Sequence, residues 1–182
     1  MALANSSSAA LGSTSGIAVN SGGTLLLSQS DQINNSATVT LGGGTVMFGS
    51  AVSEGSSSAV GVGALTLTAN STIDFNSLAG TITFSSYTPG GFTLAVNNWV
   101  NTSSHLIFNQ DQTSNLSYFT FNGQTNVSQT SLGSGFYEVG LLAPVPEPGT
   151  IAAGLALLGF VAWRERKRLA SLLARRGGSI AG

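Results

Sequence analysis

The chain has 182 residues, no cysteine and a formal net charge of −1 at neutral pH; without cysteine, a disulfide framework and thiolate metal sites are excluded. Only 7% of the residues are charged, against about 25% in an average globular domain, so Gly, Ser, Thr and Asn fill most polar positions. All six Lys and Arg residues follow Trp163, whereas residues 1–148 carry Asp31, Glu54, Asp74, Asp111, Glu138 and Glu147; that mildly acidic body has nothing to neutralise phosphates, which argues against nucleic-acid binding.

The amino end, MALANSSSAALGSTSG, has neither the positive n-region nor the apolar h-region of a secretory leader. It reads like the middle of a repeat, and the expectation is a body truncated at its amino end. From residue 17 onward, short apolar runs alternate with Gly, Ser, Asn and Asp, and no helical period appears before Thr150. Five runs end in phenylalanine: TVMF at Phe48, TIDF at Phe75, TITF at Phe84, HLIF at Phe108 and YFTF at Phe121. Period-two alternation places Val46 with Phe48, Ile73 with Phe75, Ile82 with Phe84, Leu106 with Phe108, and Phe119 with Phe121 on a buried face. A second family follows glycine, as in GGTLLL from Gly22, GALTLTA from Gly63 and GGFTLAV from Gly90. With GIAV from Gly16 and SATVTL from Ser36, about ten short strands result, many at the spacing of repetitive all-β folds.

Two all-β architectures fit this pattern: an irregular right-handed parallel β-helix, in which each coil buries its neighbour's apolar row, and an antiparallel β-sandwich. Scarce charge and dense Thr, Ser and Asn favour the β-helix. Residues 109–133 are more polar and close the domain, and GSGFYEVGLL from Gly133 supplies a last strand. The body therefore spans 1–143. Residues 144–148 carry three prolines, Pro144, Pro146 and Pro148, which neither a helix interior nor a central strand accepts; they read as an extended linker.

Candidate chemistry in the body is sparse. His105 is the only histidine and sits at the variable first position of HLIF, where it reads as a surface strand residue; a hydrolytic triad would need it. The carboxylates before the linker are scattered, and Asp74 alternates outward from Ile73 and Phe75. LGGGTVMFGS from Leu41 lacks the Lys of a phosphate-binding loop and reads as a turn. The expectation is a protein that is not an enzyme, with no metal and no cofactor.

Gly149 to Trp163 is apolar on all sides apart from Thr150. As a helix behind Pro148, these 15 residues would extend about 22 Å, short of the ~30 Å hydrocarbon core. A buried carboxy-terminal helix would have to carry Arg164, Glu165, Arg166, Lys167 and Arg168 straight out of its core. A membrane span, with those long basic side chains snorkelling to the headgroups and Trp163 at the interface, accounts for the pattern better. The positive-inside rule then keeps residues 164–182 cytoplasmic and puts the body across the membrane.

Val145-Pro146-Glu147-Pro148, a short apolar segment and an Arg-rich cluster, in that order at the carboxy terminus, resemble the PEP-CTERM protein-sorting signal of Gram-negative bacteria, also labelled the ice-binding protein C-terminal domain. The resemblance covers residues 145–168. It implies recognition by an exosortase, a membrane-embedded transpeptidase-like enzyme, then processing near Pro-Glu-Pro and release to the cell surface or extracellular matrix. Val145, Pro146, Glu147 and Pro148 would be the sorting and processing motif, and Arg164, Arg166, Lys167 and Arg168 the basic membrane stop. The body, through ALGSTSGIAVNSGGTLLL and GALTLTANSTIDF, resembles the autotransporter-associated β-strand repeats over roughly residues 5–122. The resulting expectation is an exported surface or biofilm-matrix structural protein. The alternatives are a β-helix adhesin that binds carbohydrate or ice, with exopolysaccharide as a partner, and a polysaccharide-degrading enzyme.

Overall fold

The computed structural model describes residues 1–3, 9–142, 158, 160, 161 and 164–166. After β1 (Ala2–Leu3), β2 (Gly16–Asn20) and β3 (Thr24–Leu27) form a first full coil, and β4 (Thr38–Gly42) and β5 (Thr45–Phe48) a second. A small antiparallel pair follows, β6 (Ser53–Ser56) and β7 (Ala59–Val60). The third coil is β8 (Val62–Ala69) and β9 (Ser71–Asp74), the fourth β10 (Gly80–Thr88) and β11 (Leu94–Asn97), and the fifth β12 (Ser104–Phe108) and β13 (Phe119–Phe121), joined by a 3-10 turn at Thr113–Tyr118. An antiparallel hairpin, β14 (Val127–Gly133) and β15 (Phe136–Leu141), ends the body by pairing β15 with β12.

Within the coils every strand pairs in parallel with its counterpart one coil away. One sheet runs β1-β3-β5-β9-β11-β13 and the other β14-β15-β12-β10-β8-β4-β2. The body is thus a parallel β-solenoid of about five turns, and the sandwich alternative fails because, among the described residues, antiparallel strand pairing is limited to β6–β7 and the β12–β15–β14 end, beside isolated bridges at Asn20–Gly43 and Phe121–Gln124. Strand β10 turns a corner: Gly80–Phe84 pair with β12, while Phe84–Thr88 pair with β8. On its other side the first half of β10 pairs with β6, so a short third row of ladder runs along the solenoid.

Stacking in register converts the sequence's alternation into continuous interior rows. Leu25, Val46, Ile73, Val96 and Phe121 are register partners from coil to coil, and each is buried. Val39, Leu65 and Tyr87 form a second buried row, and Ile82, Leu106 and Val139 a third that reaches the terminal hairpin. All five predicted apolar pairs ending in phenylalanine are inside. Phe48 lies on Phe75 with ring centroids 4.4 Å apart, and Phe84 stacks on Phe108 at 5.8 Å. Burying each such side chain contributes roughly 1.5–3 kcal/mol.

The same register explains the scarcity of charge. Outward-facing Thr24, Thr45 and Thr72 are consecutive partners, separated by the strand spacing of about 4.8 Å. A charge repeated at such a position would stack on its like, which is destabilising; threonine avoids this and suits a strand.

Small polar side chains have a second task, reaching one coil away to satisfy the backbone of the corners. Asn34 Nδ2 donates to the Gly12 carbonyl at 3.0 Å, the Asn70 side-chain oxygen accepts from Thr93 N at 2.9 Å, and Gln110 Oε1 accepts from Tyr87 N at 3.1 Å. At Asn122, with φ of 49°, the side chain brackets Trp99 by accepting from its N–H at 3.1 Å and donating to its carbonyl at 2.9 Å. Asn122→Ala is expected to cost about 2 kcal/mol by removing both bonds, read as a lower midpoint in urea unfolding.

Coil length is uneven: Thr24 to Thr45 is 21 residues and Thr45 to Thr72 is 27. The third coil absorbs its extra residues in the β6–β7 excursion, which returns so tightly that a Cβ on Gly61 would run into the Glu54 carbonyl group.

Among the described residues no helix is long and apolar enough to cross a membrane. Within the expected span 149–163, only Leu158, Phe160 and Val161 are described; they are helical and exposed, and the rest of that span lies outside the described residues.

Candidate functional site

The short third row of ladder carries the main concentration of reactive side chains in the body. Ser53 on β6, Thr81 on β10 and His105 on β12 are register partners in sequence. Glu138 on β15 stands opposite Ile107, two residues beyond His105. The antiparallel arrival of β15 brings the Glu138 carboxylate within 2.6 Å of His105 Nδ1. The two side chains are 37% and 25% exposed, so the pair sits at the rim of a depression and outside the dry core.

That depression has a volume of about 430 Å³ and is lined by Ser56, Ser57 and Leu132 as well as the ladder residues. A second, of about 440 Å³, lies at the asparagine corner formed by Asn97, Asn98, Trp99 and Asn122. There two of the three amides are committed to the fold: Asn122 brackets Trp99, and Asn98 Nδ2 donates to Asp74 Oδ1 at 2.9 Å. The groove at His105 is therefore the stronger candidate for ligand contact.

Among the described residues, the carboxylates of Asp74, Asp111 and Glu54 are hydrogen-bonded within the fold. Asp74 Oδ1 also accepts from Asn76 N at 2.7 Å, closing the turn after β9. Asp111 Oδ1 accepts from Thr113 N at 2.7 Å and from Gln129 Nε2 at 2.8 Å, and these bonds, those from Thr113 first, hold its pKa below the ordinary carboxylate value. Asp31 occupies a left-handed turn position, φ 54°. Glu54, by sequence one of the scattered carboxylates, is fully buried. Its two oxygens accept from Gln32 N at 2.9 Å and Ile33 N at 3.2 Å. Burial pushes its pKa up to about 7, against the opposing pull of those two N–H groups and with a further upward push from Asp31. The glycine-rich LGGG segment ends β4 with Leu41 and Gly42 and crosses to β5 through Gly43 and Gly44, with Gly43 at φ +90°. Among the described residues no three His, Cys, Asp or Glu side chains converge as a metal site would require.

Of the expected sorting residues, Val145, Pro146, Glu147, Pro148, Lys167 and Arg168 lie outside the described residues, and Arg164 and Arg166 fall on helical, exposed positions. The pairing of His105 with Glu138 was not legible beforehand, because the partners are 33 residues apart and only the antiparallel return of the terminal hairpin joins them. Glu54 carries no mark either: SEGSSS looks like any solvated turn.

A family profile for the PEP-CTERM protein-sorting motif matches residues 144–167. This is the segment whose proline, apolar and basic parts were set out above, beginning one residue earlier at Pro144. The match supports an exported protein that is a sorting substrate of an exosortase. No curated protein and no solved structure matches the chain.

Proposed function

We propose that the chain is a non-enzymatic structural protein of the cell surface or biofilm matrix, delivered there by its carboxy-terminal segment. Export carries the solenoid across the inner membrane, residues 149–163 hold it as a span, and the basic cluster from Arg164 stays on the cytoplasmic side. An exosortase then cuts near Pro146-Glu147-Pro148 and frees the body. The observation that carries this reading is the sorting motif at residues 144–167, coupled to the confinement of every Lys and Arg beyond Trp163. A structural role for the body is supported by Glu54, Asp74 and Asp111, each of which accepts backbone N–H groups as part of the fold. A charge-poor, threonine-lined solenoid also suits a matrix, since its outer rows present hydroxyls and few ionised groups.

The test is expression behind an export leader in a host that has an exosortase, comparing the wild type with a Pro146→Ala, Glu147→Ala, Pro148→Ala triple variant. The wild type is expected outside the cell in a shortened form, and the variant uncut in the membrane fraction. Identical processing and destination for both would overturn the proposal.

A further inference from the structure

We propose that the groove at His105 and Glu138 binds a neutral polysaccharide strand. From the reading above this takes only the location of the body outside the cytoplasm; the groove stands on its own geometry. Its volume of about 430 Å³ falls in the range of small-ligand sites and accommodates one or two sugar rings. The polar lining is mixed in the way a polyol requires. The Glu138 carboxylate accepts, the imidazole is fixed through Nδ1 by its 2.6 Å contact with that carboxylate, leaving Nε2 for a ligand, and the Ser53 and Thr81 hydroxyls both donate and accept.

These groups are arrayed along a direction. Ser53, Thr81 and His105 follow one another across three adjacent strands, at the inter-strand spacing of about 4.8 Å, so the row is a linear track suited to a polymer of ring units. Leu132, above the buried Ile107, gives the track an apolar side. Leu132 is 37% exposed on the edge strand β14, and a half-exposed leucine beside a polar row offers a surface for the C–H face of a pyranose. At this exposure the His105–Glu138 contact adds little to stability, so holding the terminal hairpin is a weak reason for it.

Charge selects among glycans. Residues 1–148 carry six acidic side chains and no Lys or Arg, and Glu138 lies in the groove; a uronate or sulfated chain would meet a field of its own sign with no Lys or Arg to offset it. A neutral strand faces no such penalty.

The experiment is calorimetric titration of the full chain with cellohexaose, laminarihexaose and maltohexaose, with hexagalacturonate as the acidic comparison. His105→Ala, Glu138→Gln and the shape-preserving Thr81→Val test the groove; Thr72→Val, on the other sheet, is the control. Circular dichroism of each variant separates loss of binding from loss of fold. At least one neutral hexamer should bind saturably, with affinity about tenfold weaker in His105→Ala and Glu138→Gln, the effect of one lost hydrogen bond to a charged group, and unchanged in Thr72→Val. No saturable binding, preference for hexagalacturonate, or equal affinity in wild type and folded groove variants would overturn the proposal. Sorting is read by location and this site by titration, so failure of one is distinct from failure of the other.

Discussion

Phe108→Ala is expected to lower the unfolding free energy by about 3–5 kcal/mol, the cost of emptying a large aromatic site in a core that cannot fully collapse. Phe108 is fully buried and touches three other rings: Phe84 at 5.8 Å, Tyr87 at 5.5 Å and Phe119 at 5.8 Å between centroids. Those rings come from β10 and β13, so the side chain fastens the fourth coil to the fifth and one sheet to the other. Coils in a solenoid are held mainly by their neighbours, and the loss should fall at one end. The fifth coil and the β14–β15 hairpin are expected to open before the rest, which reduces the urea m-value as well as the midpoint. Phe108→Leu, which keeps most of the volume, should cost well under half as much. Equal midpoints for the wild type and Phe108→Ala would mean that the aromatic stack does not hold the end of the solenoid.

The interior of this protein was legible from period-two alternation because a solenoid reuses one simple rule. A residue that points inward in its own strand also points inward in the stack, so identifying Val46 with Phe48 or Ile82 with Phe84 needs no knowledge of which strand pairs with which. Topology was less legible. The sequence leaves parallel coils and an antiparallel sandwich both open, since each buries alternate residues, and the repeat is blurred by corners that stretch one coil to 27 residues between Thr45 and Thr72. The asparagine corners were visible as turn residues, but their coil-to-coil bonds, such as Asn122 to Trp99, depend on a register that composition does not state. The groove lay beyond the sequence for the same reason. Ser53, Thr81 and His105 have unlike neighbours in the chain, and they become a row only when β6, β10 and β12 are laid side by side. The sorting segment is the opposite: its meaning is linear, carried by the order of proline, apolar run and basic cluster, and it was readable without any fold at all.

Between pH 4.5 and pH 8 the body is expected to lose about 3 kcal/mol of stability through Glu54 alone, a shift of roughly 2.5 pK units converted at 1.36 kcal/mol each. The carboxyl titrates from an ordinary value of 4.5 in the unfolded chain, while in the folded protein burial raises it to about 7. A raised folded pKa means that the protonated form is favoured by folding. The contribution is therefore fully present below pH 4.5, erodes as the pH rises toward 7, and is gone above it. Asp111, whose pKa is depressed from 3.8, contributes stability that is complete above that value and lost only as the pH falls further, so it leaves the window from 4.5 to 8 flat. Glu54→Gln separates the two influences on this site. The amide oxygen can accept from only one of the two N–H groups, of Gln32 and Ile33, that the carboxyl now serves, so the variant should begin less stable at acidic pH. With nothing to ionise, it should then hold its urea midpoint nearly constant to pH 8 while the wild type declines. Parallel slopes in the two proteins would place the pH dependence elsewhere and mean that the buried carboxyl stays ionised throughout, held by its two backbone donors. A declining wild type and a flat variant would show instead that desolvation outweighs those hydrogen bonds at the corner where the second and third coils meet.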